Sequence, residues 1–439
     1  MRRTALLAAA AVLLAAGRGP ANPFRGPVFA TPLPGGPGTT LPSGGPLAAP
    51  VITPAGTTHG GRQLFEMIPA GWEREPFFTR DPGRYTTGAC DNPVACSAVG
   101  FVAFDFLLWA TQGPSAPPVV TTGPAALGPG IAGAPGAPGT LALLGGARVL
   151  NDMRPGFRFD FFLPVAADGH WGVGTRFEML GQSADSTAVI GTGANVVNVP
   201  QVFAVGGLPV PTPVYVSFPG LTAGTATAST QTNFLGGDLT LRRALAAGDA
   251  VRLDALVGYR YLHLGDRLSS SWDVFSPAAL PPVGPRLMGE DSVRTRNDFH
   301  GALLGLGSSA AFGRLTVSGR MAVSLGGTVS ERDQSRTRVL FPGATGLGVV
   351  AALGPPAAQL PLGTVAASDE TTPFAVVPEF GVKLGWRAGN SLHLTAGYSF
   401  LYWSRVRRAQ DQYDLSPTLA DRTTDVWVQG VNLGVEWRY

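Results

Sequence analysis

Five histidines, His59, His170, His263, His300 and His393, are the candidate acid–base groups of this chain. One of them has a nucleophile close by in sequence. Ser391 and His393 stand at i and i+2, which puts them on one side of an extended segment. Such a pair performs acyl transfer when a carboxylate orients the imidazole and donors receive the oxyanion. The spacing alone is too common to mark a site. The chain has no G-x-S-x-G elbow, no H-E-x-x-H and no Cys/His cluster. Its carboxylates are scattered among arginines, so a hydrolytic carboxylate pair has no particular support. ALGPGIAGAPGAPGT at 126–140 is glycine-rich but carries no lysine and reads as a flexible loop, not a phosphate cradle. The residues therefore point away from an enzyme and call for no cofactor and no metal.

What remains is charge placed on alternate positions. FVAFDFLLWA sets Asp105 against Val102, Phe104, Phe106 and Leu108. FRFDFFL sets Arg158 and Asp160 against Phe157, Phe159, Phe161 and Leu163. WGVGTRFEML sets Arg176 and Glu178 against Trp171, Val173, Phe177 and Met179. The same alternation puts Asp238 and Arg242, then Arg252, Asp254 and Arg260, then Arg320, on polar rows. Glu379, Lys383 and Arg387 follow, and finally Glu436 and Arg438. A strand has a side-chain period of 2, so each segment has one apolar and one polar face.

About ten such segments, each of roughly ten residues, run from Phe101 to the C-terminus. That is the length a tilted strand needs to cross a bilayer. A soluble sandwich also alternates, but the connections separate the two cases. Short turns near 166–169, 247–249, 312–314 and 388–390 alternate with long connections near 112–153, 183–231, 265–294, 330–371 and 405–425. This predicts an all-β, transmembrane, up-and-down antiparallel barrel of about ten strands (range 8–14), with short periplasmic turns and long external loops. Trp109, Tyr261, Trp386, Tyr402, Trp427 and Tyr439 are the expected membrane-interface aromatics, with Trp171 and Trp403 of the same type. The last strand, VWVQGVNLGVEWRY, must pair with the first to remove both edges.

The rest of the composition is consistent with export. MRRTALLAAAAVLLAAGRGPA, 1–21, has the basic start, short apolar run and small residues of a signal peptide. Residues 22–100 form a Pro/Gly-rich extension, read as a linker with a small periplasmic element or plug. Cys90 and Cys96, the only cysteines, are expected to form a small-loop disulfide. Charged residues make up only 14% of the chain, the net charge is +3 and Lys383 is the single lysine. No clustered basic patch suggests nucleic acid.

FDFLLW at 104–109, PPVVTTG at 117–123, RLDALVGYRYLHLGDRL at 252–268, RTRNDFHGALLGL at 294–306, FAVVPEFGVKLGW at 374–386, LTAGYSFLYWSRVRRAQDQYD at 394–414 and VQGVNLGVEWRY at 428–439 carry a resemblance. Together they resemble the putative beta-barrel porin-7 family of planctomycete bacteria, over about 100 to 439. One departure is Ala110, which follows Trp109 where the family usually has a second tryptophan. The resemblance implies an outer-membrane barrel whose partners are outer-membrane lipid and, through the C-terminal strand, the barrel-assembly machinery. It implies a porin but supplies no substrate and no catalytic residues.

The expected function is passive passage of small polar solutes. The expected lumen lining is Asp105, Arg158, Asp160, Arg176, Glu178, Arg252, Asp254, Arg260, Arg320, Glu379, Lys383, Arg387, Glu436 and Arg438. The alternative is a non-conducting surface or structural barrel that acts through its external loops, in adhesion or envelope organisation. A ten-stranded barrel is narrow, and paired charges can fill it as readily as line a pore. The residues leave both readings open.

Overall fold

The computed structural model describes residues 100–165, 170–205, 208–248, 250–275, 286–341, 363–413 and 421–439. The expected signal peptide, almost all of the expected extension and the expected Cys90–Cys96 disulfide lie outside the described residues. In chain order the strands are β1 (Phe101–Thr111), β2 (Val120–Thr122), β3 (Leu141–Leu144), β4 (Met153–Pro164), β5 (Trp171–Gly191), β6 (Val197–Val205), β7 (Leu208–Ser217), β8 (Ala223–Ala247), β9 (Val251–Phe275) and β10 (Arg286–Phe312). They continue as β11 (Leu315–Phe341), β12 (Gly363–Thr371), β13 (Phe374–Arg387), β14 (Leu392–Val406) and β15 (Thr424–Arg438), with one helical turn, α1 (Ala409–Gln412), before the last.

Ten of these close a barrel in the order β1, β4, β5, β8, β9, β10, β11, β13, β14, β15, every neighbouring pair antiparallel. β1 and β15 form the seam, in register from Phe101 opposite Arg438 to Thr111 opposite Val428. The Tyr439 backbone N–H donates to the Gly100 carbonyl at 2.9 Å, so the terminal aromatic is held by the seam. β12 continues the line of β13 along β11. Between them stand Thr372 and Pro373, and proline has no N–H to give the ladder.

The alternation of sequence becomes inside and outside. Phe104, Phe106, Leu239, Val257, Leu304, Met321, Leu384, Leu394 and Leu433 are exposed on the outer wall, while Arg158, Asp238, Arg260 and Glu379 are buried on the inner one. Lipid is the solvent for this outer belt. Leu433→Arg is therefore expected to destabilise the folded barrel by about 2–4 kcal/mol, because the guanidinium faces hydrocarbon. A lowered urea midpoint in refolded vesicles checks this; an unchanged midpoint would move Leu433 off the lipid face.

Strands β8 to β11 run 25 to 27 residues, far beyond the bilayer. Much of what the composition marks as long loops is therefore strand. On β9 the faces exchange character partway up. Below, Val257 and Tyr259 point out and Arg252 and Arg260 point in. Above, Leu262, Leu264, Leu268, Trp272 and Val274 point in and Arg267, Ser269, Ser271 and Asp273 point out. The lower barrel is apolar outside and charged inside; the upper barrel is built like a water-soluble protein.

The connections after β1 and β5 do not hang free. β3, β2, β6 and β7 form a four-stranded sheet in that order. Val120, Val197, Val199, Val214 and Val216 of this sheet pack with Leu268, Trp272, Val274, Leu287 and Val293 from the inner face of β9 and β10. Tyr413, just after α1, joins the same core and its hydroxyl lies 2.5 Å from Ser270 Oγ. Burial pushes the Tyr413 pKa up, so this hydroxyl stays neutral.

Two of the expected interface aromatics are inside. Trp109 and Trp403 are 1% and 0% exposed. On β1 the outward positions are 104, 106 and 108, so Trp109 shares the inward parity of Asp105 and Leu107. Its Nε1–H donates to Asn432 Oδ1 at 2.6 Å, and the Arg158 guanidinium lies 4.9 Å from its ring. Trp403 Nε1–H donates to Thr328 Oγ1 at 3.0 Å. Both side chains belong to the core of the lumen, where an indole needs a partner for its N–H. Trp386 and Tyr439 are exposed, and Tyr261, Tyr402 and Trp427 are partly so; Tyr402 stands opposite Trp427 in the ladder.

Candidate functional site

The charged rows meet at one height of the lower lumen. Register does much of the work. Arg158 stands opposite Asp105 on β1 and opposite Glu178 on β5. Arg176 stands opposite Asp160 on β4 and opposite Asp238 on β8, and Asp238 opposite Arg260 on β9. Opposite charges directly across a ladder attract, so these rows stabilise the wall they belong to.

The opposite wall completes the pairing through the lumen. Glu379 on β13 accepts from Arg176 on β5 and from Arg260 on β9, and Arg320 Nε is 3.7 Å from its Oε1. β5 and β13 lie half a circuit apart in the ten-strand order, so the Arg176–Glu379 pair bridges the barrel. Arg320 Nη2 donates to Asp238 Oδ2 at 2.8 Å. Arg260 Nη2 donates to Glu178 Oε1 at 3.0 Å, and Arg158 Nη2 to Glu178 Oε2 at 3.0 Å. Arg176 Nε donates to Asp160 Oδ1 at 2.6 Å. Lys383 Nζ is 2.9 Å from Asp105 Oδ2, and the Thr395 hydroxyl donates to Asp105 Oδ1 at 3.2 Å. Five cations, Arg158, Arg176, Arg260, Arg320 and Lys383, are thus matched by five carboxylates, Asp105, Asp160, Glu178, Asp238 and Glu379. A neutral, cross-braced layer can exist at membrane depth where isolated charges could not.

Below this layer, toward the short turns, Arg252 Nε donates to Asp254 Oδ1 at 2.9 Å and Arg438 Nε to Glu436 Oε1 at 2.5 Å. Arg387 Nη2 donates to the Gly313 carbonyl at 3.3 Å, which puts it at the turn rim and outside the charge layer. A cavity of about 190 Å³ lies here, between the charge layer and Arg252, Asp254, Glu436 and Arg438.

Above the layer comes a feature that the alternation alone does not announce. Leu107, Trp109, Leu180, Phe234, Leu262, Leu264, Phe299, Ala375, Val377, Leu401, Trp403, Val406, Val426 and Val428 form one buried cluster. They come from eight of the ten barrel strands: β1, β5, β8, β9, β10, β13, β14 and β15. Each is no more than 3% exposed. Phe299 and Trp403 meet edge to face, with ring centroids 6.1 Å apart. The signal for this layer was present in sequence: Leu262 and Leu264 share the parity of Arg260, so the inner row turns apolar after Arg260.

Higher still, buried arginines tie the inward-folded segments to the wall. Arg408 pairs with Asp266 on β9, Arg407 Nη1 donates to the Ser330 carbonyl on β11 at 3.1 Å, and Arg338 on β11 donates to Gln201 on β6. The expected lumen list contained none of these.

Among the described residues, Ser391 and His393 share no side-chain hydrogen bond. His393 points inward and is buried near Glu436, while the Ser391 carbonyl accepts from the Arg438 backbone N–H at 2.9 Å. Among the described residues, no cluster of three or more His, Cys, Asp or Glu side chains could hold a metal ion.

The model of a family described as putative beta barrel porin-7 matches residues 101–439. No curated protein matches. Among solved structures, the outer membrane protease OmpT from Escherichia coli has a TM-score of 0.38 at 8% identity, covering 80% of this chain and 100% of that one. A Pseudomonas aeruginosa FadL homologue has a TM-score of 0.23 at 8% identity, covering 78% and 90%. The outer membrane channel DcaP of Acinetobacter baumannii has a TM-score of 0.18 at 10% identity, covering 78% and 96%. Likeness at this level bears on neither ligand nor activity.

Proposed function

The chain belongs to the putative beta barrel porin-7 family, a porin-type outer-membrane barrel, and from that premise we propose that its lumen is shut at rest. On this reading the barrel anchors the structure it raises beyond the membrane, and its role is adhesion or envelope organisation through that external part. The observation that carries the reading is the apolar layer. Wall side chains from eight strands meet there without exposure to water, directly above charges that already bridge the lumen. An ion crossing it would lose its hydration and find no replacement ligands. The inward-folded sheet and Tyr413 fill the space above.

One observation favours the second reading, passive passage of small polar solutes. The cavity below the layer has a volume of about 190 Å³ and carries charged side chains, among them Arg242, Arg252, Asp254, Glu436 and Arg438, as the entry of a narrow path would. A solute would then have to displace both layers. Planar-bilayer recording of the refolded mature chain decides between the two. The expected result is insertion, shown by heat-modifiable mobility, with no current steps. Discrete steps in the unmodified protein would overturn the shut lumen and support the channel.

A further inference from the structure

The lower cavity has a charge imbalance that its own ion pairs leave unmet. Seven basic side chains and three carboxylates line it. Six of the seven basic groups have carboxylate partners; Arg242 has none among the described residues. Its guanidinium instead lies 4.9 Å from the Phe162 ring and 5.9 Å from that of Phe101. Aromatic faces hold a cation without neutralising it. Arg242 Nε is buried without a hydrogen-bond partner.

A second group points the same way. Arg320 is nine-tenths buried and also lines the cavity. Nη2 is committed to Asp238, but Nε and Nη1 have no hydrogen-bond partner. Both guanidinium-bearing side chains line the same cavity. Gly174 makes room for this arrangement: a Cβ there would sit 2.8 Å from Arg242 Nε and 2.9 Å from its Nη2. Ser308, Ser309 and Ser318 add small hydroxyl-bearing walls, and Gly307, Gly319 and Gly381 keep the space open.

We propose that this cavity is an anion site, which takes a small inorganic oxyanion of phosphate or sulfate size between Arg242 and Arg320. Guanidinium donors suit the paired oxygens of such an ion. A volume of about 190 Å³ compares with roughly 30 Å³ per water, so the ion enters with part of its hydration. The cavity is lined by inward side chains near the turn end, so the proposed ion is a free aqueous one and not a lipid headgroup of the outer belt. The anion neutralises the one cation of the cavity lining that has no carboxylate partner among the described residues. The inference does not depend on whether the lumen conducts.

The test is equilibrium binding of inorganic phosphate to the refolded full chain in detergent, by calorimetry at fixed ionic strength in chloride. Saturable binding at one site is expected, weakened about tenfold or more in Arg242→Gln. Arg286→Gln, on the exposed surface, should bind as the parent does. Because Arg242 has no carboxylate partner, Arg242→Gln breaks no ion pair and should fold, with its midpoint in chloride lowered only by the lost ring contacts. Should that variant fail to fold, the parent alone decides: phosphate raises its unfolding midpoint relative to chloride at equal ionic strength. No saturable heat, undiminished binding in Arg242→Gln, or no phosphate-dependent midpoint shift in the parent would each overturn the site. Binding of phosphate by a chain that also conducts would sink the shut lumen and leave the anion site standing.

Discussion

Glu379→Gln is expected to destabilise the barrel by about 3–5 kcal/mol, a loss visible as a lowered urea midpoint. The reason is the number of cations that depend on one carboxylate. Arg176 and Arg260 both donate to it and Arg320 lies within ion-pair distance. Removing the charge leaves three buried guanidiniums sharing Asp160, Glu178 and Asp238, which already serve other partners. Shape is nearly unchanged by the substitution, so the effect is electrostatic. A second change sharpens the test. In Glu379→Gln with Arg320→Met, one cation leaves with the carboxylate, and part of the loss should return. A midpoint that does not move in the single variant would mean that Glu379 is hydrated and the bridge across the lumen is absent.

The double variant Phe299→Ala, Trp403→Ala should open the apolar layer. These rings pack edge to face at its centre, and each truncation of this kind costs about 3–5 kcal/mol. The fold should survive, because the outer belt and the ladders are untouched, but with a much lower unfolding midpoint. The expected bilayer result is small, brief current steps where the parent is silent. Thr328 loses the indole N–H that its hydroxyl accepts, which wets the breach further. A double variant that inserts and stays silent would place the seal elsewhere, in the inward-folded sheet or the charge layer.

The barrel itself was legible because its two strongest signals are local. Period-2 rows around Asp105, Arg158 and Arg260, and turns that alternate short with long, need no knowledge of distant contacts. The inverted upper barrel was harder to read. Ser269, Ser271 and Asp273 look like loop residues to a reader who expects lipid outside every strand. Their inward neighbours Trp272 and Val274 show that the strand continues with its faces exchanged. Trp109 was misplaced for a related reason: an aromatic near a strand end suggests an interface, yet its parity with Asp105 already put it inside. The pairing of charges was legible only within adjacent strands. That Glu379 would reach Arg176 depends on barrel circumference and side-chain length, which no short stretch encodes. Arg242 stood on the polar row from the start, but its lack of a carboxylate partner among the described residues became visible only once nearby Asp160 and Asp238 were seen paired with Arg176 and Arg320.

The exchange of faces along β9 also bears on how the chain finds its alignment. Suppose one long strand slips by a single residue against its neighbour. At the lower level, arginines and carboxylates turn into hydrocarbon; at the upper level, Leu268, Trp272 and Val274 turn into water. A uniform barrel would suffer one of these errors, whereas this one suffers both at once. The two solvents act as independent inspectors of the same strand, and a misaligned hairpin fails whichever of them it meets first.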